Sequence, residues 1–100
     1  MNRNFNIPVN EIKEFSRSHH IRKLSLFGSV LRDDFGPDSD VDVLVEFEPD
    51  VVFSLFDLVR MQDELGALFR RKVDLVEAAG LNNPFRRYEI LRTHRAIYAV

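Results

Sequence analysis

Between residues 24 and 48 the chain passes from a short, mostly apolar run to a two-residue alternation, and a glycine-serine turn lies between the two patterns. Residues 24–27 predict a short strand ending on Gly28-Ser29. Ser29 suits an N-cap, so a short helix is expected over residues 30–35, stopped by Gly36 and Pro37. From residue 41 to 48, Val41, Val43, Val45 and Phe47 fall on one strand face, while Asp40, Asp42, Leu44 and Glu46 fall on the other. Residues 54–70 then switch to helical spacing. Leu55, Leu58, Val59, Leu65, Leu68 and Phe69 form a core stripe that Met61 and Phe56 widen. A further strand is expected over residues 73–77, with Val73 and Leu75 on one face and Asp74 and Val76 on the other.

The ends of the chain follow the same logic. Asn10 is placed to cap a helix from Glu11 to Ser18, with Ile12 and Phe15 facing inward. Asn83-Pro84 is a helix entrance, Asn as cap and Pro in the first turn, and that helix should run to Leu91 or Arg92. Residues 95–100 alternate weakly and suggest an edge strand. The connection between residues 27 and 41 is too short for an ordinary crossover between parallel strands. An α/β chain of α+β type is therefore expected, with a small mixed β-sheet of three to four strands and helices mainly on one face.

Composition narrows this without changing it. The chain has 100 residues, 45% of them hydrophobic and nine of them Phe, which fits a single packed domain over residues 1–100. Cysteine is absent, which excludes disulfide and thiolate–metal chemistry and fits a reducing compartment. No signal-like stretch is visible near the N-terminus, and no apolar run nears the ~20 residues of a membrane span. A cytoplasmic protein is expected. A net charge of −2 argues against general nucleic-acid binding.

Charge distribution carries the chemistry. Residues 33–50 hold eight of the sixteen carboxylates and no Lys or Arg. A solvated acidic face accounts for Asp33, Asp34, Asp38, Glu48 and Asp50. It does not account for Asp40 and Asp42, which interrupt a buried-looking strand. Side chains two residues apart on a strand share a face, with Cα atoms roughly 6.5–7 Å apart. Carboxylates so spaced suit divalent ions, and Mg²⁺ takes oxygen ligands from few protein groups, with phosphate and water completing its shell. The Gly28-Ser29 turn supplies the complementary half: free backbone N–H groups, a hydroxyl and close approach. Asp74 is costly to bury unless something positive meets it, so an ion pair with Arg71, Lys72 or another base and a metal-ligand role both stand open. His19 and His20 have no metal-site spacing and read as structural or surface residues. Arg86, Arg87, Arg92 and Arg95 make the C-terminal end basic, facing solvent, an acidic partner or a nucleotide tail.

Gly28-Ser29, Arg32 and Ser39-Asp40-Val41-Asp42 together resemble the nucleotidyltransferase signature of the DNA polymerase β superfamily. The closer likeness is to its minimal nucleotidyltransferase (MNT) branch, whose members are about this long and often act as antitoxins beside a HEPN-domain toxin. The resemblance implies a polymerase β-like palm and ATP as substrate, with two Mg²⁺ ions held by Asp40, Asp42 and Asp74 as metal-binding, catalytic carboxylates. It also assigns Gly28, Ser29 and Arg32 to the triphosphate. Leu31 and Asp33 depart from the family pattern, which has a small residue before the Arg and a glycine after it. Leu31 fits packing, whereas Asp33 adds negative charge near the phosphate site. The implied function is an antitoxin that transfers AMP to a tyrosine hydroxyl of a HEPN ribonuclease toxin. A non-catalytic antitoxin that binds its toxin and a small-molecule adenylyltransferase are the alternatives, and both homo-oligomer and hetero-oligomer with the toxin stay open.

Overall fold

The computed structural model describes residues 6–32, 36 and 38–100. Helix α1 (Val9–Ser18) leads into β1 (Ile21–Phe27), and a single 3₁₀ turn (Gly28–Leu31) follows it. Strand β2 (Val41–Phe47), helix α2 (Leu55–Phe69) and strand β3 (Val73–Glu77) come next, then helix α3 (Pro84–Thr93) and strand β4 (Arg95–Ala99). The strands form one sheet in the order β3-β2-β1-β4. β1 runs antiparallel to both β2 and β4, whereas β3 joins β2 in parallel. The parallel pair is possible because α2 carries the chain back between those strands. This is the mixed, four-stranded α+β sheet that the periodicity predicts.

Period two along β2 divides the molecule. Val41, Val43 and Val45 are fully buried beneath α1 and α2, against Ile12, Phe15, Met61, Leu65 and Phe69. Burial of side chains of this size stabilises the fold by about 1.5–3 kcal/mol each. Leu44, on the other face, joins a smaller cluster with Phe27, Leu81 and Ile90, the buried residue of α3. Two helices thus cover one face, and α3 is pinned to the opposite face, beside Asp42.

Several local expectations need correction. α1 starts at Val9 with Pro8 as its cap residue and no side-chain cap bond, so Asn10 lies inside the helix. Proline sets the entry, with φ −77°, and its carbonyl accepts the Ile12 N–H at 2.9 Å. After β1 a four-residue 3₁₀ turn replaces the expected helix; Ser29 sits within it and Arg32 is already extended. Positions 33–35 and 37 of that expected helix and its stop lie outside the described residues. In α2, Ser54 caps as expected. Its hydroxyl accepts from the Asp57 N–H and the Asp57 carboxylate accepts from the Ser54 N–H. The stripe is buried only from Met61 onward, however, and Leu55, Phe56 and Val59 are exposed. The i, i+4, i+8 positions Met61, Leu65 and Phe69 meet the sheet, while the first turns stand off it. Among the described residues no helix is long and apolar enough to cross a membrane.

Candidate active site

The turn after β1 depends on Gly28, whose φ of +73° lies in the left-handed region. A Cβ at this position would overlap Asp42 Oδ2 and stand 3.2 Å from its Cγ. Glycine therefore allows the Asp42 carboxylate to lie against the turn, where it accepts a hydrogen bond from the Ser29 N–H. The Ser29 hydroxyl is not an N-cap but donates to the Asp40 carbonyl at 3.4 Å. The turn and the start of β2 are thereby joined by two hydrogen bonds between side chain and backbone.

The parallel register sets Asp74 of β3 directly opposite Asp42 of β2. Residues opposite each other in a sheet share a face, so Asp74 stands on the face that carries Asp42 and Leu44. Asp40 lies just before β2, exposed, as is Asp74. Burial holds the Asp42 carboxyl above its ordinary value, and the neighbouring charges of Asp74 and then Asp40 raise it further. Arg86 of α3 and the Ser29 N–H oppose that rise.

Among the described residues no Lys, Arg or His closes a salt bridge with Asp40, Asp42 or Asp74. Arg71 turns instead to the carbonyls of Gly36 (2.7 Å) and Ser39 (3.3 Å), bracing the segment that precedes β2. Among the described residues no three acidic or imidazole side chains already stand in a metal-binding group.

Beside Gly28 opens a cleft of about 540 Å³, lined among others by Arg32, Leu31, Glu89, Thr93 and Arg95. Leu31 packs partly against the main core, the packing role its sequence position suggested. Asp33 lies outside the described residues. Gly28, Ser29, Asp40 and Asp42 are thus gathered at one end of the sheet, with Asp74 across from Asp42 and Arg32 at the cleft. Sequence reading grouped the C-terminal arginines as a basic end facing solvent, an acidic partner or a nucleotide tail, without separating them. That α3 crosses the sheet and brings Arg86 to bear on Asp42 had no signal in the periodicity, because α3 is anchored through Ile90 alone among its residues.

Comparison with known proteins agrees with this architecture. Residues 9–97 match the family described as the nucleotidyltransferase domain. The protein adenylyltransferase of Thermococcus cleftensis is 37% identical over 71 residues, covering 71% of this chain and 70% of that protein. The solved structure of a candidate minimal nucleotidyltransferase superimposes with a TM-score of 0.70 at 32% identity, covering 87% of this chain and 86% of its own. The fold also matches, with a TM-score of 0.67 and 16% identity over 92% of this chain and 70% of the other, a chain in a complex of tri-AMPylated Shewanella oneidensis HEPN toxin with MNT antitoxin. A glycine turn closed on an aspartate pair, a third carboxylate in register on the next strand and a family match over nearly the whole chain lead to one conclusion: this chain belongs to the nucleotidyltransferase domain family, in its minimal branch.

Proposed function

We propose that this chain is an antitoxin that transfers AMP from ATP to a tyrosine hydroxyl of a HEPN ribonuclease toxin. The observation that carries this reading is the meeting of the Gly28-Ser29 turn with Asp42, with Asp40 and Asp74 alongside and Gly28 also lining an open cleft. The relatives support it: one is a protein adenylyltransferase, and the AMPylated toxin complex is one of the fold matches.

The donor set fits Mg²⁺. Three carboxylates repel one another and, among the described residues, have no cation in salt-bridge contact, which is the charge balance a hard divalent ion satisfies. Asp40, Asp42 and Asp74 would hold two such ions, whose charge offsets that of the triphosphate during transfer. In the reaction the acceptor hydroxyl oxygen forms a bond to the α-phosphorus, the bond to pyrophosphate breaks, and the hydroxyl proton is lost. Asp74 is exposed and stands beside Asp42, so it is placed to take that proton or to orient the hydroxyl. Gly28 and Ser29 would meet the β- and γ-phosphate oxygens once the Ser29 N–H and hydroxyl exchange Asp42 and the Asp40 carbonyl for them, and Arg32 at the cleft adds positive charge. The cleft is open to solvent, so a docked protein can present its hydroxyl in line, and positioning is most of what this chemistry requires. AMP adds negative charge and bulk to the toxin where it would accept an RNA phosphate.

The test is incubation with labelled ATP, Mg²⁺ and the HEPN partner, followed by intact-mass measurement. Added AMP on the partner is expected from the wild type, with loss of transfer in Asp42→Asn and Asp74→Asn. Asp74→Asn should melt with the wild type, because the residue is exposed and breaks no ion pair. An unmodified partner that Asp42→Asn still neutralises would establish neutralisation by binding alone and overturn the transfer reading.

A further inference from the structure

Asp40 is the one carboxylate of the proposed metal site that lies outside a strand. β2 begins at Val41, so Asp40 precedes the ladder that fixes Asp42 against Asp74. Its backbone is held instead from three sides. The Asp40 carbonyl accepts from the Ser29 hydroxyl at 3.4 Å. The Val41 N–H donates to the Lys72 carbonyl at 2.9 Å, and the Ser39 carbonyl accepts from the Arg71 guanidinium at 3.3 Å. The same guanidinium nitrogen donates to the Gly36 carbonyl at 2.7 Å. Gly36 and Ser39 are also bonded to each other: the Ser39 N–H donates to the Gly36 carbonyl at 3.1 Å, and the Gly36 N–H to the Ser39 hydroxyl at 3.0 Å. One side chain thus holds both residues of the pair that leads into Asp40. The Ser29 bond is given up when that hydroxyl turns to phosphate, which leaves Arg71 and the Lys72 carbonyl as the holds that persist.

Arg71 reaches this place because α2 ends sharply. Arg70 takes the left-handed conformation, and the Arg71 N–H returns to the Gly66 carbonyl at 3.1 Å. A Cβ on Gly66 would stand 3.1 Å from the Arg71 carbonyl oxygen, so glycine allows the chain to fold back this closely. The planar fork of a guanidinium then holds two carbonyls in a fixed geometry, which the flexible point charge of a lysine does not. We propose that Arg71 is a positioning residue of the metal site: by fixing Gly36 and Ser39 it sets where Asp40 enters β2, and so how the Asp40 and Asp42 carboxylates are spaced. This rests on the nucleotidyltransferase reading above. Groups that orient metal ligands are worth about 10–100-fold in metal affinity. The sign of the effect is diagnostic. By charge alone, removing the Arg71 cation would draw Mg²⁺ in more tightly. By position, removing it loosens Asp40 and weakens Mg²⁺ binding.

Calorimetric titration of the full chain with ATP at a series of Mg²⁺ concentrations tests it. The Mg²⁺ concentration that half-saturates ATP binding should rise about tenfold or more in Arg71→Met, which keeps the aliphatic stem and loses the donors. Arg71→Lys should recover part of that loss, and it carries the test, with a smaller rise expected, should Arg71→Met not stay folded. Ser54→Ala removes the cap at the opposite end of α2. It should lower the melting temperature and leave the Mg²⁺ requirement unchanged. In the metal-free chain, hydrogen exchange at the Ser39 and Val41 amides should be faster in Arg71→Met. The Leu75 amide, which donates to the Gln62 side chain, should exchange as in the wild type. An unchanged or lower Mg²⁺ requirement in the folded Arg71 variants, or an equal rise in Ser54→Ala, would overturn the inference and leave the proposed function standing. A wild type whose ATP binding does not depend on Mg²⁺ would overturn the proposed metal role of Asp40 together with it.

Discussion

Replacement of Gly28 by alanine tests the contact on which the site is built. The residue has φ +73°, where an L-residue costs about 1–2 kcal/mol. The new methyl would also overlap Asp42 Oδ2, so the carboxylate must leave the turn and give up the Ser29 N–H. Inserting a methyl where there is no room costs about 1–3 kcal/mol, while the freed carboxylate loses the Ser29 hydrogen bond but escapes burial and acidic neighbours that outweigh it. The net loss should be about 2–4 kcal/mol, roughly 10–20 °C in melting temperature for a domain of this size. The decisive measurement is a double-mutant cycle with Asp42→Ala. Alanine at position 42 keeps only the Cβ, which would lie 3.5 Å from the new methyl in ordinary contact. In that background Gly28→Ala should cost only the backbone strain, about 1–2 kcal/mol. Denaturant titrations of the four proteins give the coupling directly. An equal cost for Gly28→Ala in both backgrounds would refute the claim that glycine is required for the approach of Asp42.

Two further outcomes follow from the same structure. The Asp42 carboxyl titrates above its ordinary value of 3.8, so the folded chain holds that proton more tightly than the unfolded chain does. Its contribution to stability is complete below the unfolded value and is lost as pH rises through the folded one. Asp42→Asn should therefore melt higher than the wild type at neutral pH, with the gap closing below the unfolded value; a wild type more stable at neutral pH would contradict this. Arg70 ends α2 in the left-handed region, φ 55° and ψ 39°, so Arg70→Gly should stabilise the protein by about 0.5–1 kcal/mol, seen as a melting temperature a few degrees higher.

The sequence by itself determined the elements and the family. Period two in β2, the Ser54 cap, the Asn83-Pro84 entrance and the Val73–Glu77 run are local signals, and each element formed where its local chemistry indicated. The strand alternation also set Asp40 and Asp42 apart from the other acids, because carboxylates in an otherwise apolar strand need a reason. Tertiary structure decided what depends on distant partners. Ser29 sits in a 3₁₀ turn and gives its N–H to the Asp42 carboxylate and its hydroxyl to the Asp40 carbonyl, and no window around Ser29 contains those contacts. The register of β2 on β3 set Asp74 against Asp42, and only the return of the chain through α2 fixes such a parallel pairing. The exposed first turns of α2 have the same cause: apolar spacing says which helix face can be buried, but the extent of the sheet beneath it says how much of that face is. Arg86 and Arg92 show the limit most plainly. They are alike in type and lie on one helix, yet the charge of one acts on Asp42 and the other pairs with Glu89, because the seat of Ile90 on Phe27 and Leu44 sets how α3 lies on the sheet.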